Sequence, residues 1–290
     1  MKAEVLKSDG TKSGEIELPA VFSEEYRPDL IKRAFLAEFS HSVQPWGSDP
    51  IAGLKRIAES WDVGGGRSRI PRAKAGPHRG ARARGHRYRS KGRWFPAAGR
   101  AIKVVSTVGG REAHPPKADK VLAEKINKKE LAKAIRSAIA ATANKSLLES
   151  RGHVLTGLKT IPLVVDDSIC DLKKTKDVSK ALNALGLSNE LERASVITQR
   201  AGVGKMRNRR YRRKTSVLVV IPAAKKTSFS VFENITGVEA ATSSQLNITL
   251  LAPGATAGRL TLWTKSALNE IQKRFEQKSS KENLLVGDKK

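Results

Sequence analysis

The chain has 290 residues, room for one large domain or two small ones, and a formal net charge of +27. That charge exceeds what solubility needs and points to a nucleic-acid or other polyanionic partner. A single cysteine, Cys170, excludes an internal disulfide framework; with no long apolar run, and Glu4 and Asp9 where a signal peptide needs an apolar centre, a soluble intracellular protein with no membrane partner is expected.

Ala3–Leu6 and Glu15–Leu18 alternate around Asp9-Gly10 and predict a hairpin. Pro28 suits the first turn of a helix, with Ile31, Phe35, Phe39 and Val43 as its inward stripe and Pro45 as its end. Residues 46–61 are transitional, with a short amphipathic turn at Ile51–Ala58.

From Gly64 to Arg111 the chain contains no Asp or Glu, and glycine or proline recurs every few residues as far as Ala98. Apolar residues there keep neither a helical nor a strand period until Ala101–Val105. Such a segment buries too little apolar surface to offset its backbone entropy, so it is expected to be extended until a polyanion neutralises it. Its length would let it project at most roughly 80 Å.

Beyond His114-Pro115-Pro116 regular structure resumes. Asn127 and Glu130 have capping-box spacing ahead of a helix carrying Leu131, Ile135, Ile139 and Ala143. Ile161–Val165 and Val217–Ile221 are unbroken apolar runs, the mark of strands covered on both faces. A helix over Thr175–Leu185 stops at Gly186, and Val196-Ile197 opens a further strand. Phe229 and Phe232 suggest a short helix, Leu246, Ile248 and Leu250 a strand, Leu260 and Leu262 another, and Leu268, Ile271 and Phe275 a final helix. Strands alternating with helices predict an α/β fold. The reading is a single three-layer α/β/α domain over 1–290 with a mostly parallel sheet. A long extended basic loop, 46–111, is inserted after the first core helix, and a frayed polar tail occupies 277–290.

The candidate RNA-binding residues of the loop are Arg67, Arg69, Arg72, Lys74, His78, Arg79, Arg82, Arg84, His86, Arg87, Tyr88, Arg89, Lys91, Arg93, Trp94, Phe95 and Arg100. Guanidinium forks bind phosphate bidentately, and aromatic planes stack on unpaired bases. Irregular RNA, with its splayed bases and crevices, suits such a ribbon better than duplex DNA. A second patch comprises Arg200, Lys205, Arg207, Arg209, Arg210, Tyr211, Arg212, Arg213 and Lys214.

Three enzyme-like signals are weaker. Ala201–Met206 resembles the end of a phosphate-binding P-loop, but Gln199 replaces its first glycine and Met206 its magnesium-binding hydroxyl. Asp166-Asp167 follows a buried strand, where a metal-dependent RNA-modifying or RNA-cleaving enzyme would place carboxylates, although adjacent acids there more often form turns or caps. His41, His78, His86, His114 and His153 have no metal-ligand spacing with Cys170, so neither metal nor cofactor is predicted. A basic protein binding any nucleic acid is a further alternative.

Gly65–Arg72 (GGRSRIPR), His78-Arg79, Gly85–Pro96 (GHRYRSKGRWFP), Arg111–Lys117 (REAHPPK) and Arg200–Arg213 (RAGVGKMRNRRYRR) decide between these readings. In order and wording they resemble the L-four family of large-subunit ribosomal proteins, in its archaeal and eukaryotic form. The chain stops soon after its last helix, which favours the archaeal type. The resemblance implies a structural, non-catalytic protein of the large ribosomal subunit in the cytoplasm. Its partners would be large-subunit rRNA, other large-subunit proteins and, near the loop tip around Arg69–Arg79, the nascent polypeptide in the exit tunnel.

Overall fold

The computed structural model describes residues 1–60, 68–73, 88–90, 93–95, 101–224 and 229–275. The tail expected to fray lies outside them. The chain forms two compact units, Met1–Ser42 with Ala123–Lys290, and Val43–Leu122.

In chain order, β1 (Lys2–Leu6) and β2 (Lys12–Glu17) form the N-terminal hairpin, followed by α1 (Pro28–Ser40). Four short strands come next: β3 (Ala58–Glu59), β4 (Arg72–Ala73), β5 (Tyr88–Ser90) and β6 (Arg93–Phe95). Then come α2 (Lys128–Ala141), α3 (Lys145–Ser150), β7 (Leu163–Val165), α4 (Thr175–Ala184) and α5 (Ser188–Ser195). A hairpin of β8 (Thr198–Gln199) and β9 (Tyr211–Arg212) leads to β10 (Leu218–Ile221). Last are α6 (Phe229–Glu233), β11 (Glu239–Thr242), α7 (Ile248–Leu251), β12 (Thr261–Thr264) and α8 (265–275).

The first unit is built on a six-stranded sheet of order β11-β10-β12-β7-β1-β2. All neighbours are parallel except β2, which pairs antiparallel with β1 at one edge. Because successive strand residues face opposite sides, the unbroken apolar runs feed two cores. Val164, Leu218, Val220 and Trp263 share one core with α1, α2, α7 and α8. There the Trp263 ring meets Phe22 edge-on, with centroids 5.5 Å apart. Leu163, Val165, Val219, Ile221 and Leu262 share the other core with α4, α6 and Leu148 of α3. The Cys170 thiol is buried in this second core. The expected α/β class and mostly parallel sheet are thus observed.

Several local expectations are corrected. Helix α1 ends at Ser40, before Val43, and buries Ile31, Ala34 and Ala37, whereas Phe39 is 53% exposed. The buried i, i+3 row of Ile31, Ala34 and Ala37 faces the core, and Phe39, off that row, stacks on Phe35. Asn127 caps α2 without a side-chain hydrogen bond, and Glu130 reaches Arg33 at 3.0 Å instead of closing a capping box. Leu246, Ile248 and Leu250 are not a strand: Asn247 Oδ1 accepts from the Leu250 amide at 2.9 Å and starts α7. Val196 and Ile197 are half exposed and precede the β8–β9 hairpin rather than opening a core strand. Gly186 does end α4 in the left-handed region, with φ +84°.

In the second unit, β3 pairs antiparallel with β4, and Arg72 forms a bridge with Ala101. The Ile102 amide donates to Pro71 O at 2.9 Å, and Ile102 is buried. β5 and β6 pair with Tyr88 opposite Phe95 and Arg89 opposite Trp94. The expectation of no regular pairing before Ala101 is therefore corrected.

Candidate nucleic-acid interface

The two predicted basic elements fall in different units. Of the loop residues, Arg72 lies on β4, paired with Glu59 of β3 and bridged to Ala101, and Arg69 is exposed on the segment just ahead of it. Tyr88, Arg89, Arg93, Trp94 and Phe95 lie on the β5–β6 pair. Arg67, Lys74, His78, Arg79, Arg82, Arg84, His86, Arg87, Lys91 and Arg100 lie outside the described residues.

The second patch is one hairpin. Thr198 pairs with Arg212 and Gln199 with Tyr211. Between the strands, a short 3-10 turn over Val203–Arg207 ends at Asn208, whose φ of 58° is the left-handed conformation that asparagine tolerates. Backbone bonds from Arg200 N to Arg210 O (2.8 Å) and from Arg209 N to Gly204 O (3.0 Å) close the ribbon. The Arg200 guanidinium donates to Arg209 O at 3.1 Å. All the candidate residues, Arg200, Lys205, Arg207 and Arg209–Lys214, are exposed. Arg210 lies over the Tyr211 ring at 5.6 Å, a cation–π pair that presents two flat groups side by side. No carboxylate occurs between Arg193 and Phe232, so nothing local neutralises this charge. The P-loop-like residues form part of the hairpin turn rather than a strand-to-helix phosphate cradle.

Sequence reasoning missed what lies beneath the hairpin. Glu190 on α5 is fully buried. Its carboxylate accepts from His153 Nδ1 (2.7 Å), the Val154 amide (2.9 Å), Ser216 Oγ (2.9 Å) and two guanidinium nitrogens of Arg193 (2.6 and 2.8 Å). Burial by itself would raise this carboxyl, but the hydrogen bonds from His153, Arg193 and Val154 outweigh it and hold the group at about 2. Close by, fully buried Arg259 donates to Ser216 O (3.0 Å) and to Glu239 (2.6 Å). Burial, together with the charges of Arg259 and Arg193, brings Arg151 down to about 10. The only sequence signal was an acid just ahead of a long acid-free stretch.

Of the Asp166-Asp167 pair, Asp167 has a structural use. Asp167 accepts from the Ser266 amide at 3.1 Å and from the Ser266 hydroxyl, capping α8. Among the described residues, no group of His, Cys, Asp and Glu is placed to hold a metal ion, and no helix is long and apolar enough to cross a membrane.

Residues 16–274 match the Ribosomal protein L4/L1 family. The chain belongs to that family. Among curated relatives, it is 47% identical to the large ribosomal subunit protein uL4 of Methanocaldococcus jannaschii over 277 residues, 95% of this chain and all of the relative. It is 46% identical to uL4 of Archaeoglobus fulgidus over 272 residues, covering 93% and 98%. It is 43% identical to uL4 of Methanoculleus marisnigri over 273 residues, covering 94% and 99%. The archaeal resemblance read from the basic motifs thus extends over nearly the whole chain.

Proposed function

We propose that this protein is a structural, non-catalytic component of the large ribosomal subunit in the cytoplasm. It binds large-subunit rRNA through two basic elements, supports subunit assembly and has other large-subunit proteins as neighbours. The observation that carries this reading is the β8–β9 hairpin, an ordered ribbon of exposed cations with no acid beside it, in a chain of the ribosomal L4/L1 family. Its arginines match phosphate oxygens, and the Arg210–Tyr211 pair offers a stacking surface to an unpaired base. Residues 1–290 act as one ribosomal α/β domain carrying the loop 46–111. The loop residues from Arg67 to Arg100 fold onto rRNA, and the loop tip, around Arg69–Arg79, lines the exit tunnel and meets the nascent polypeptide.

Replacing 74–100 by a short Gly-Ser linker tests the loop. Both sheet cores lie within 1–42 and 123–275, so the unfolding transition of this body is expected to persist while subunit assembly is impaired. Subunits assembling at the parental rate would overturn the assignment. In competition at one salt concentration, an rRNA fragment is expected to outcompete duplex DNA by at least about a thousandfold; equal affinity would leave a general polyanion binder.

A further inference from the structure

The basic hairpin cannot hold its direction by burial of its own. Its strands are two residues each, and Val196, Ile197, Val203 and Tyr211 are all at least half exposed. A two-stranded ribbon of this kind is marginal in water by itself. What fixes its aim must act where it leaves the body and where it returns.

We infer that Glu190 is the positioning residue of this hairpin, clasping its two ends to the body; the inference rests on the reading of Arg200–Lys214 as an rRNA-binding element. The ribbon leaves from the end of α5, whose last turn carries Arg193, and returns through Thr215 and Ser216 to β10. Arg193 holds the Glu190 carboxylate from the departing side and donates to Thr215 O (3.0 Å) on the returning side. Ser216 Oγ holds the same carboxylate from the returning side. His153 and the Val154 amide anchor it to the segment ahead of β7. The Leu260 amide donates to His153 Nε2 (3.3 Å), so the ring proton sits on Nδ1 and is given to Glu190.

Gly237 supplies an independent observation. Its φ is +81°, and its carbonyl accepts from the Ser216 amide at 2.8 Å. A Cβ there would lie 2.8 Å from Ala194 Cβ and 2.9 Å from Lys214 O, so both ends of the ribbon close onto this one residue. A buried ionic cluster is weak as a source of stability, because packed apolar groups do as well. Directional bonds to both ends instead define an orientation, and an element aimed beforehand loses less freedom when RNA binds.

The test uses the full chain and two readouts, hydrogen exchange at the Arg200 and Arg209 amides and affinity for a large-subunit rRNA fragment across salt. In Glu190→Gln and Ser216→Ala, both amides are expected to exchange faster by about tenfold more than any common acceleration seen at the β10 and β12 amides, which report global opening. Affinity is expected to fall about tenfold with an unchanged salt slope, since no phosphate contact is lost. Unaltered exchange in a folded variant overturns the inference, and so does an affinity loss accompanied by a shallower slope. Should Glu190→Gln not fold, Ser216→Ala and Arg193→Lys carry the same test. If Arg210→Ala with Arg212→Ala left affinity and slope intact while exchange still answered to Ser216→Ala, the rRNA reading would fall and the clasp would stand.

Discussion

Glu190 shows how a single side chain can be both costly and specific. Its folded carboxyl titrates at about 2, below the ordinary 4.5, so the stability it contributes is present above about 4.5 and is lost as pH falls towards 2. The linked free energy is on the order of 3 kcal/mol. Thermal unfolding of the parent is therefore expected to weaken more steeply between pH 5 and pH 3 than that of Glu190→Gln, and parallel curves would contradict this. Asp167 poses a simpler question. As a helix cap, its replacement by Ala should cost about 1 kcal/mol in denaturant unfolding and leave rRNA affinity unchanged. Loss of RNA binding or turnover without loss of stability would instead revive a carboxylate-centred active site.

Among the elements, the β8–β9 hairpin is where charge and geometry can be separated. Arg210→Ala with Arg212→Ala should make log K against log salt shallower by about 0.7–0.9 for each phosphate contact removed. The clasp substitutions should shift the line without tilting it. How much of this was legible beforehand depended on what each element buries. β7 and β10 were readable because both faces are covered, which demands unbroken apolar runs. β11, with Glu239-Ala240-Ala241-Thr242, uses small residues at a sheet edge and left no trace in the pattern. Leu246, Ile248 and Leu250 alternate like a strand, but one Asn247 cap made the segment a four-residue helix. The cationic residues of the interface were plain from composition. The clasp was not, because His153, Glu190 and Ser216 are far apart in sequence and each reads as ordinary polar surface until the fold brings them together.

At the scale of the whole molecule, the two basic elements are carried by two units, and the acids stay out of both, with none from Gly64 to Arg111 and none between Arg193 and Phe232. If the elements together engage roughly 6–10 phosphates, affinity for rRNA should fall about 10³–10⁵-fold between 50 and 200 mM salt. A fall below tenfold would mean that most of the cations do not touch RNA.

The place of β12 gives synthesis a particular order. This strand, made near the C-terminal end of the chain, sits in the middle of the sheet between β7 and β10. Until it is added, β11–β10 and β7–β1–β2 are separate ribbons with open hydrogen-bonding flanks. Both polycationic arms have by then been made. A newborn copy thus displays its charge before its scaffold can close, and a chain cut after Leu260 would keep the arms while lacking the strand that joins the halves.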